Sequence, residues 1–257
     1  MSHSSQTAPQ VFSDHFAAVA AAYADFRPRY PAALLAWLAE HAPARTLAWD
    51  CATGSGQAAL DLAPHFARVI ATDASAAQIA TAPAHPGVEY RLAPAEASGL
   101  ADASIDLITV AQALHWFDLE RFYAEARRVL KPGGLLAVWS YGVPRLPDAI
   151  LDAPVQHFYW QIVGPYWPAE RRHVENGYRD LPFPFAQCPT PEWTLELAWT
   201  LPELLGYCRS WSATGRYRAA HGHDPVVELA ALLEPLWGEP AQRQPIRWPL
   251  AVRVGRC

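Results

Sequence analysis

The run Trp49-Asp50-Cys51-Ala52-Thr53-Gly54-Ser55-Gly56-Gln57 constrains this chain more than any other stretch. Thr46 to Cys51 reads as a short buried strand, and Gln57 to Phe66 reads as a helix. Between them the glycines allow a sharp turn and the close approach of a ligand. The first N–H groups of the helix then face whatever the loop holds. Further strands are expected at Ala67 to Thr72, Val88 to Leu92, Ile105 to Ala111 and Leu135 to Ser140, with helices between them. Strands spaced in this way imply right-handed βαβ units and a parallel sheet.

Other helices are expected at Val11 to Ala24, from Pro31 to about Glu40, from a Ser75 cap through Ala82, and at Leu119 to Leu130. Lys131-Pro132-Gly133-Gly134 reads as a turn. Beyond Tyr141 the pattern changes. Residues 144–191 are rich in Pro, Trp and Tyr and read as an insertion, or lid, with weak helical periodicity near Leu151 to Val163. A strand at Glu192 to Thr200, helices at Leu201 to Thr214 and Pro225 to Leu236, and a strand at Ile246 to Val254 complete the order. Pro249 marks a bulge or an edge, and the last two strands are expected to form an antiparallel edge. The expectation is a doubly wound, mostly parallel α/β sheet of seven strands with a helical insertion after strand five. It forms one domain over 11–257, behind a flexible tail at 1–10.

Composition narrows the partners. The net charge is -5 with no polybasic run, which argues against a nucleic-acid backbone. No apolar run approaches about 18 residues, so no membrane span is expected. Met1 to Gln10 lacks a signal pattern. Cys51, Cys188, Cys208 and Cys257 show no CxxC spacing and read as free thiols in a reducing cytoplasm, not as disulfides or a zinc site. No metal is expected, and the sequence does not indicate an oligomeric state.

The glycine loop implies a nucleoside ligand. Asp73 ends the second strand about 20 residues on, where an acid accepts the ribose hydroxyls. Gly54-Ser55-Gly56-Gln57-Ala58-Ala59 also satisfies the dinucleotide fingerprint, so the loop by itself fits NAD. Three features favour another nucleoside. Asp50 ends strand one, within reach of a cationic amino group. Pro94-Ala95-Glu96 follows strand three, where an adenine ring would sit. Strand four runs into Ala111-Gln112-Ala113-Leu114-His115-Trp116-Phe117.

These stretches resemble the class I methyltransferases, whose first motif reads roughly Asp-x-Gly-x-Gly-x-Gly. They are similar to the branch containing trans-aconitate methyltransferase. There a Tyr-x-x-x-Arg-Pro-x-Tyr-Pro motif, here Tyr23 to Pro31, precedes the core. A His-Trp-Phe motif follows strand four, and a Lys-Pro-Gly-Gly turn precedes strand five. Gly206 to Ser212 also looks familiar from that branch. The resemblance covers about the first 140 residues well. It implies a Rossmann-like fold and S-adenosylmethionine as cofactor. It also implies a cofactor site of Tyr23, Arg27, Asp50, Ala52, Gly54, Gly56, Gln57, Asp73, Ala74, Ala95, Glu96, Ala111 and Gln112, with Arg27 on the methionine carboxylate and His115 and Trp116 at the reacting centre. The chain departs from the motif at Ala52, which replaces its first glycine and is tolerated without strain only at negative φ.

The expected reaction is methyl transfer to a small-molecule acceptor, with a carboxylate of a small organic acid favoured. A carboxylate is already a nucleophile near pH 7, whereas a hydroxyl or amine acceptor would look to His115 for a base. Other readings are a nucleoside-binding protein without activity and an NAD-linked oxidoreductase. Arg145, Arg171, Arg172, His173 and Arg216 could supply charge for an acidic acceptor, and the sequence does not choose among them.

Overall fold

Alternation of side chains along the strands divides the core. A computed structural model describes residues 28–257. The helix expected at Val11 to Ala24, Tyr23 and Arg27 lie outside the described residues. On one face of the sheet Ala48, Val69, Leu107, Leu135 and Ala137 pack with α1 (Ala32–His41) and α2 (Gln57–Leu62). The alternate residues Trp49, Ile70, Ile108, Leu136 and Val138 point to the other face, against α4 (Leu119–Val129). Helix α4 buries Phe122, Tyr123, Ala126 and Val129, the spacing of one helical stripe, behind an Asp118 cap. Helix α3 (Ala76–Thr81) begins at the expected Ser75 cap.

The strands are β1 (Leu47–Cys51), β2 (Arg68–Asp73), β3 (Val88–Leu92), β4 (Ile105–Ala111), β5 (Leu130–Tyr141), β6 (Ala186–Cys188), β7 (Trp193–Trp199) and β8 (Gln244–Arg256). β3, β2, β1, β4 and β5 lie side by side and parallel. β8 runs antiparallel along β5 and takes β6 and β7 on its other edge. Successive β6 and β7 act as one interrupted strand: Cys188 pairs with Val254 and Trp193 with Leu250, five residues on one side against four on the other. Seven strand positions therefore hold eight segments.

Local expectations change in β5 and β8. Lys131 to Gly134 is not a turn ahead of β5 but lies inside it. Leu130 pairs with Ile105 and Leu135 with Leu107, so five steps on β5 match two on β4, and the excess bulges out. β8, expected at the edge, is interior. Pro249 stands where its pairing changes: from Tyr141–Leu250 to Arg145–Arg247 four steps face three, the extra residue of a bulge.

The segment after β5 wraps both faces. α5 (Ala149–His157) continues into a π turn at Phe158–Ile162, closed by Val163 N–H on the Phe158 carbonyl at 3.0 Å. Leu151, Val155 and Phe158 join the first core layer, with α7 (Leu201–Arg209) and α9 (Val226–Trp237). α6 (Arg171–Glu175) and Tyr178 join the second. α8 (Ser212–His221) follows α7. No described helix is long and apolar enough to cross a membrane.

Candidate active site

Parallel strands bring their carboxyl ends to one edge, where loops from neighbouring strands form a crevice. β1 and β4 are neighbours there. The glycine loop leaves β1 with three successive left-handed turns of the backbone: φ is +55° at Ala52, +57° at Gly54 and +84° at Gly56. The condition under which Ala52 would be unstrained is not met, since its φ is positive. At Gly56 a side chain is excluded twice, by the φ and by Tyr90 of β3, whose ring and hydroxyl occupy the place of a Cβ. The Tyr90 hydroxyl is buried there, with no hydrogen-bond partner among the described residues.

Asp73 ties the loop to the end of β2. Its Oδ2 accepts from Gly54 N–H at 2.8 Å and its Oδ1 from Ser75 N–H at 2.8 Å. Thr53 N–H donates to the Thr72 carbonyl at 2.9 Å. Asp50 lies beneath the loop, and its two oxygens accept from the Thr53 hydroxyl at 2.6 Å and the Thr109 hydroxyl at 2.7 Å. Burial raises its carboxyl to about pKa 6, against the lowering effect of those hydroxyls and the Ala59 N–H. The Gln57 side-chain amide donates to the Pro28 carbonyl at 2.8 Å. Ala74 is exposed beside Asp73, and Ala95 is buried. The Glu96 carboxylate accepts from Asp118 N–H at 2.9 Å, joining the loops after β3 and β4.

At the end of β4, Ala111 is half-buried and Gln112 turns the chain with φ +58°. Gln112 is fixed through its N–H to the Trp139 carbonyl at 2.9 Å and its side-chain amide to the Tyr141 carbonyl at 3.0 Å. A single 3₁₀ turn, Leu114–Trp116, follows. His115 Nδ1 lies 2.9 Å from the Tyr178 hydroxyl. Desolvation, with Arg171 and His173 nearby, lowers the imidazole to about pKa 3, so it is neutral at physiological pH. The Trp116 ring lies 4.7 Å from that of His115 and is 37% exposed.

Thr53, Thr109, Tyr90 and Tyr178 were not signalled as site residues by the sequence. Thr109 is a buried polar residue in a mostly apolar strand, which was a usable sign. Tyr178 stands 63 residues from His115 and gave none.

A doubly wound sheet with a left-handed glycine loop at the carboxyl edge and an acid closing strand two defines a nucleoside-binding domain. The donor set fits a nucleoside: the Asp73 carboxylate stands at the ribose position of this fold and buried Asp50 lies beneath the loop. Comparison with known proteins makes the assignment particular. Residues 49–138 match the methyltransferase domain family. A Dictyostelium discoideum protein named as a methyltransferase is 37% identical, covering 88% of this chain and 87% of that one. The solved structure of a protein described as a type II methyltransferase from Anaeromyxobacter dehalogenans is 49% identical with a TM-score of 0.85, over 90% of this chain and 98% of that one. A Saccharomyces cerevisiae protein named as an S-adenosylmethionine-dependent methyltransferase is 30% identical, over 61% of this chain and 58% of that one. The chain belongs to the class I S-adenosylmethionine-dependent methyltransferases. It is an enzyme, and its cofactor is S-adenosylmethionine.

Proposed function

We propose that the methyl group is transferred to a carboxylate of a small organic acid. The observation that carries this reading is the state of Arg171. Its guanidinium sits over Trp167 at 4.7 Å and Tyr159 at 5.7 Å, and its Nε donates to the Tyr159 hydroxyl at 2.8 Å. That hydroxyl donates in turn to Glu175 at 2.7 Å. Among the described residues the two terminal nitrogens of Arg171 have no hydrogen-bond partner, and Arg171 lines a cavity of about 230 Å³ with Trp160, Trp167, Arg172 and Glu175. Three of the other four candidates already have partners, while Arg172 lines the same cavity from a solvent-exposed position. Arg145 faces Asp152, His173 faces Asp180 and Arg216 donates to the Tyr166 carbonyl. A desolvated cation with spare donors calls for an anion, and a guanidinium fork matches a carboxylate.

The sulfonium of the cofactor supplies an already activated methyl group. What remains for the chain is to align the acceptor and keep water out, and alignment by itself lowers such barriers by several kcal/mol, on the order of 7–11 in the best cases. A carboxylate needs no general base near pH 7. The neutral imidazole of His115, with a pKa near 3, suits an acceptor of that kind. The resemblance of Tyr23 to Pro31 and His115 to Phe117 to the trans-aconitate branch supports the same choice.

Incubation with methyl-labelled S-adenosylmethionine and a panel of small acids, amines and alcohols tests it. The expected product is a methyl ester, whose label is released by mild base. Arg171→Met should raise the KM for the acid at least tenfold while leaving cofactor affinity within twofold. Label found solely in base-stable products overturns the carboxylate reading.

A further inference from the structure

We propose that Tyr178 holds His115 in the tautomer that carries its proton on Nε2, so that the imidazole offers the methyl acceptor a hydrogen-bond donor and not a base. The inference rests on the reading of the crevice after β4 as the acceptor site. Tyr178 is fully buried, so its hydroxyl proton needs an acceptor within the protein. Among the described residues it meets His115 Nδ1, at 2.9 Å, and the Leu114 backbone N–H, which can only donate. The proton therefore goes to Nδ1. The reverse arrangement, Nδ1–H onto the phenol oxygen, leaves the phenol proton without a partner. With Nδ1 accepting, the neutral ring keeps its own hydrogen on Nε2. Nε2 has no hydrogen-bond partner among the described residues.

The tyrosine is held against local preference. Its φ is +58°, a region a bulky side chain seldom occupies, and it follows Gly177 at +61°. The strain is opposed by three backbone contacts. Tyr178 N–H donates to the His173 carbonyl at 2.7 Å. The Arg253 guanidinium of β8 donates to the carbonyls of Tyr178 at 2.6 Å and Leu181 at 2.9 Å. The β8 strand thereby fixes the phenol that fixes the imidazole.

Charge around the ring acts in the same direction. Arg171 and His173, both on α6, face His115, and His173 is itself paired with Asp180 at 2.8 Å. Both disfavour a second proton on the imidazole. Trp116 covers the ring from its own turn. An Nε2–H donor can hold one oxygen of an acceptor carboxylate while the other oxygen attacks.

Nitrogen NMR of 15N-histidine-labelled enzyme reads the tautomer directly, with His115→Gln used to assign the signal. The expected spectrum has a protonated-type Nε2 and an unprotonated-type Nδ1, constant from pH 5 to 8. In Tyr178→Phe the two tautomers should mix, and the acceptor KM should rise about tenfold, the loss of one well-placed hydrogen bond, with cofactor affinity unchanged. His115→Gln, which keeps an N–H donor, should retain more turnover than His115→Leu. A protonated Nδ1 in the wild-type spectrum, or an imidazole titrating near pH 6.5, overturns the proposal. The spectrum needs no acceptor, so it decides the tautomer even where the panel of acids shows no methyl ester.

Discussion

Ala52 and Gln112 leave adjacent strands at the same edge, both with φ near +55° to +58° and neither a glycine. A left-handed alanine costs about 1–2 kcal/mol, and such strain concentrates at ligand sites. Ala52→Gly removes it, while the freer unfolded chain gives back about 0.4–1 kcal/mol. The expected outcome is a melting temperature unchanged or raised by a few degrees, with cofactor affinity equal or better by calorimetry. A clear loss of affinity in a folded Ala52→Gly enzyme would show that the methyl group itself is used. At this scale the sequence was readable where chemistry is local: Asp73, Gly54 and Gly56 stand within one loop-and-strand unit. It was silent on Tyr90 and Tyr178, whose contacts depend on strand register and on a loop returning over the sheet.

Among the elements, the strands of the parallel half appear where alternation and apolar runs placed them, Val88–Leu92 and Ile105–Ala111 without shift. The second half was harder. One helix was expected from Leu201 to Thr214, yet α7 ends at Arg209 and α8 begins at Ser212. The start was legible in the Thr200–Glu203 capping box. The break comes from side chains competing for the backbone: Ser210 Oγ donates to the Tyr207 carbonyl at 2.6 Å and Thr214 Oγ1 to the Cys208 carbonyl at 2.8 Å. The break sets Trp211 among Phe158, Tyr159, Trp167 and Tyr207. Trp211 is 8% exposed and Trp116 is 37% exposed, so their truncations separate. Trp211→Ala should cost about 3–5 kcal/mol of stability. Trp116→Ala should change stability by no more than about 0.5 kcal/mol and lower turnover instead. Denaturant melts beside initial rates distinguish the two; equal destabilisation would place Trp116 in the core.

Across the whole molecule, buried acids couple the fold to pH in opposite directions. The Glu125 carboxylate of α4 is bonded by Arg128 at 2.8 Å and by the Ser98 N–H at 2.8 Å and hydroxyl at 2.5 Å. The Arg128 hydrogen bond is the main reason its pKa falls to about 2. A folded pKa below the usual 4.5 means that this stabilisation is complete above pH 4.5 and is lost as pH falls toward 2. Asp50, raised to about 6, favours the fold at low pH, and that contribution is lost between pH 3.8 and 6. Melting temperature should therefore fall as pH drops from 4.5 to 2, and Glu125→Gln should flatten that limb. An unchanged limb in Glu125→Gln would locate the acid sensitivity elsewhere.

β8 fills an interior place between β5 and the β6–β7 edge, and it is synthesised after every strand it joins. While the ribosome is still making residues 142–243, the nascent sheet has no partner for Leu135–Tyr141 along one side. An unpaired, apolar strand edge is a template for pairing with another chain. The closing step also joins residues more than a hundred positions apart, Leu135 with Arg256, and such distant pairings form slowly. Translation thus leaves this edge of the sheet open until β8 arrives, and the same strand, through Arg253, holds the backbone of Tyr178, whose hydroxyl meets His115. The strand that closes the sheet is also the one that holds the tyrosine of the crevice.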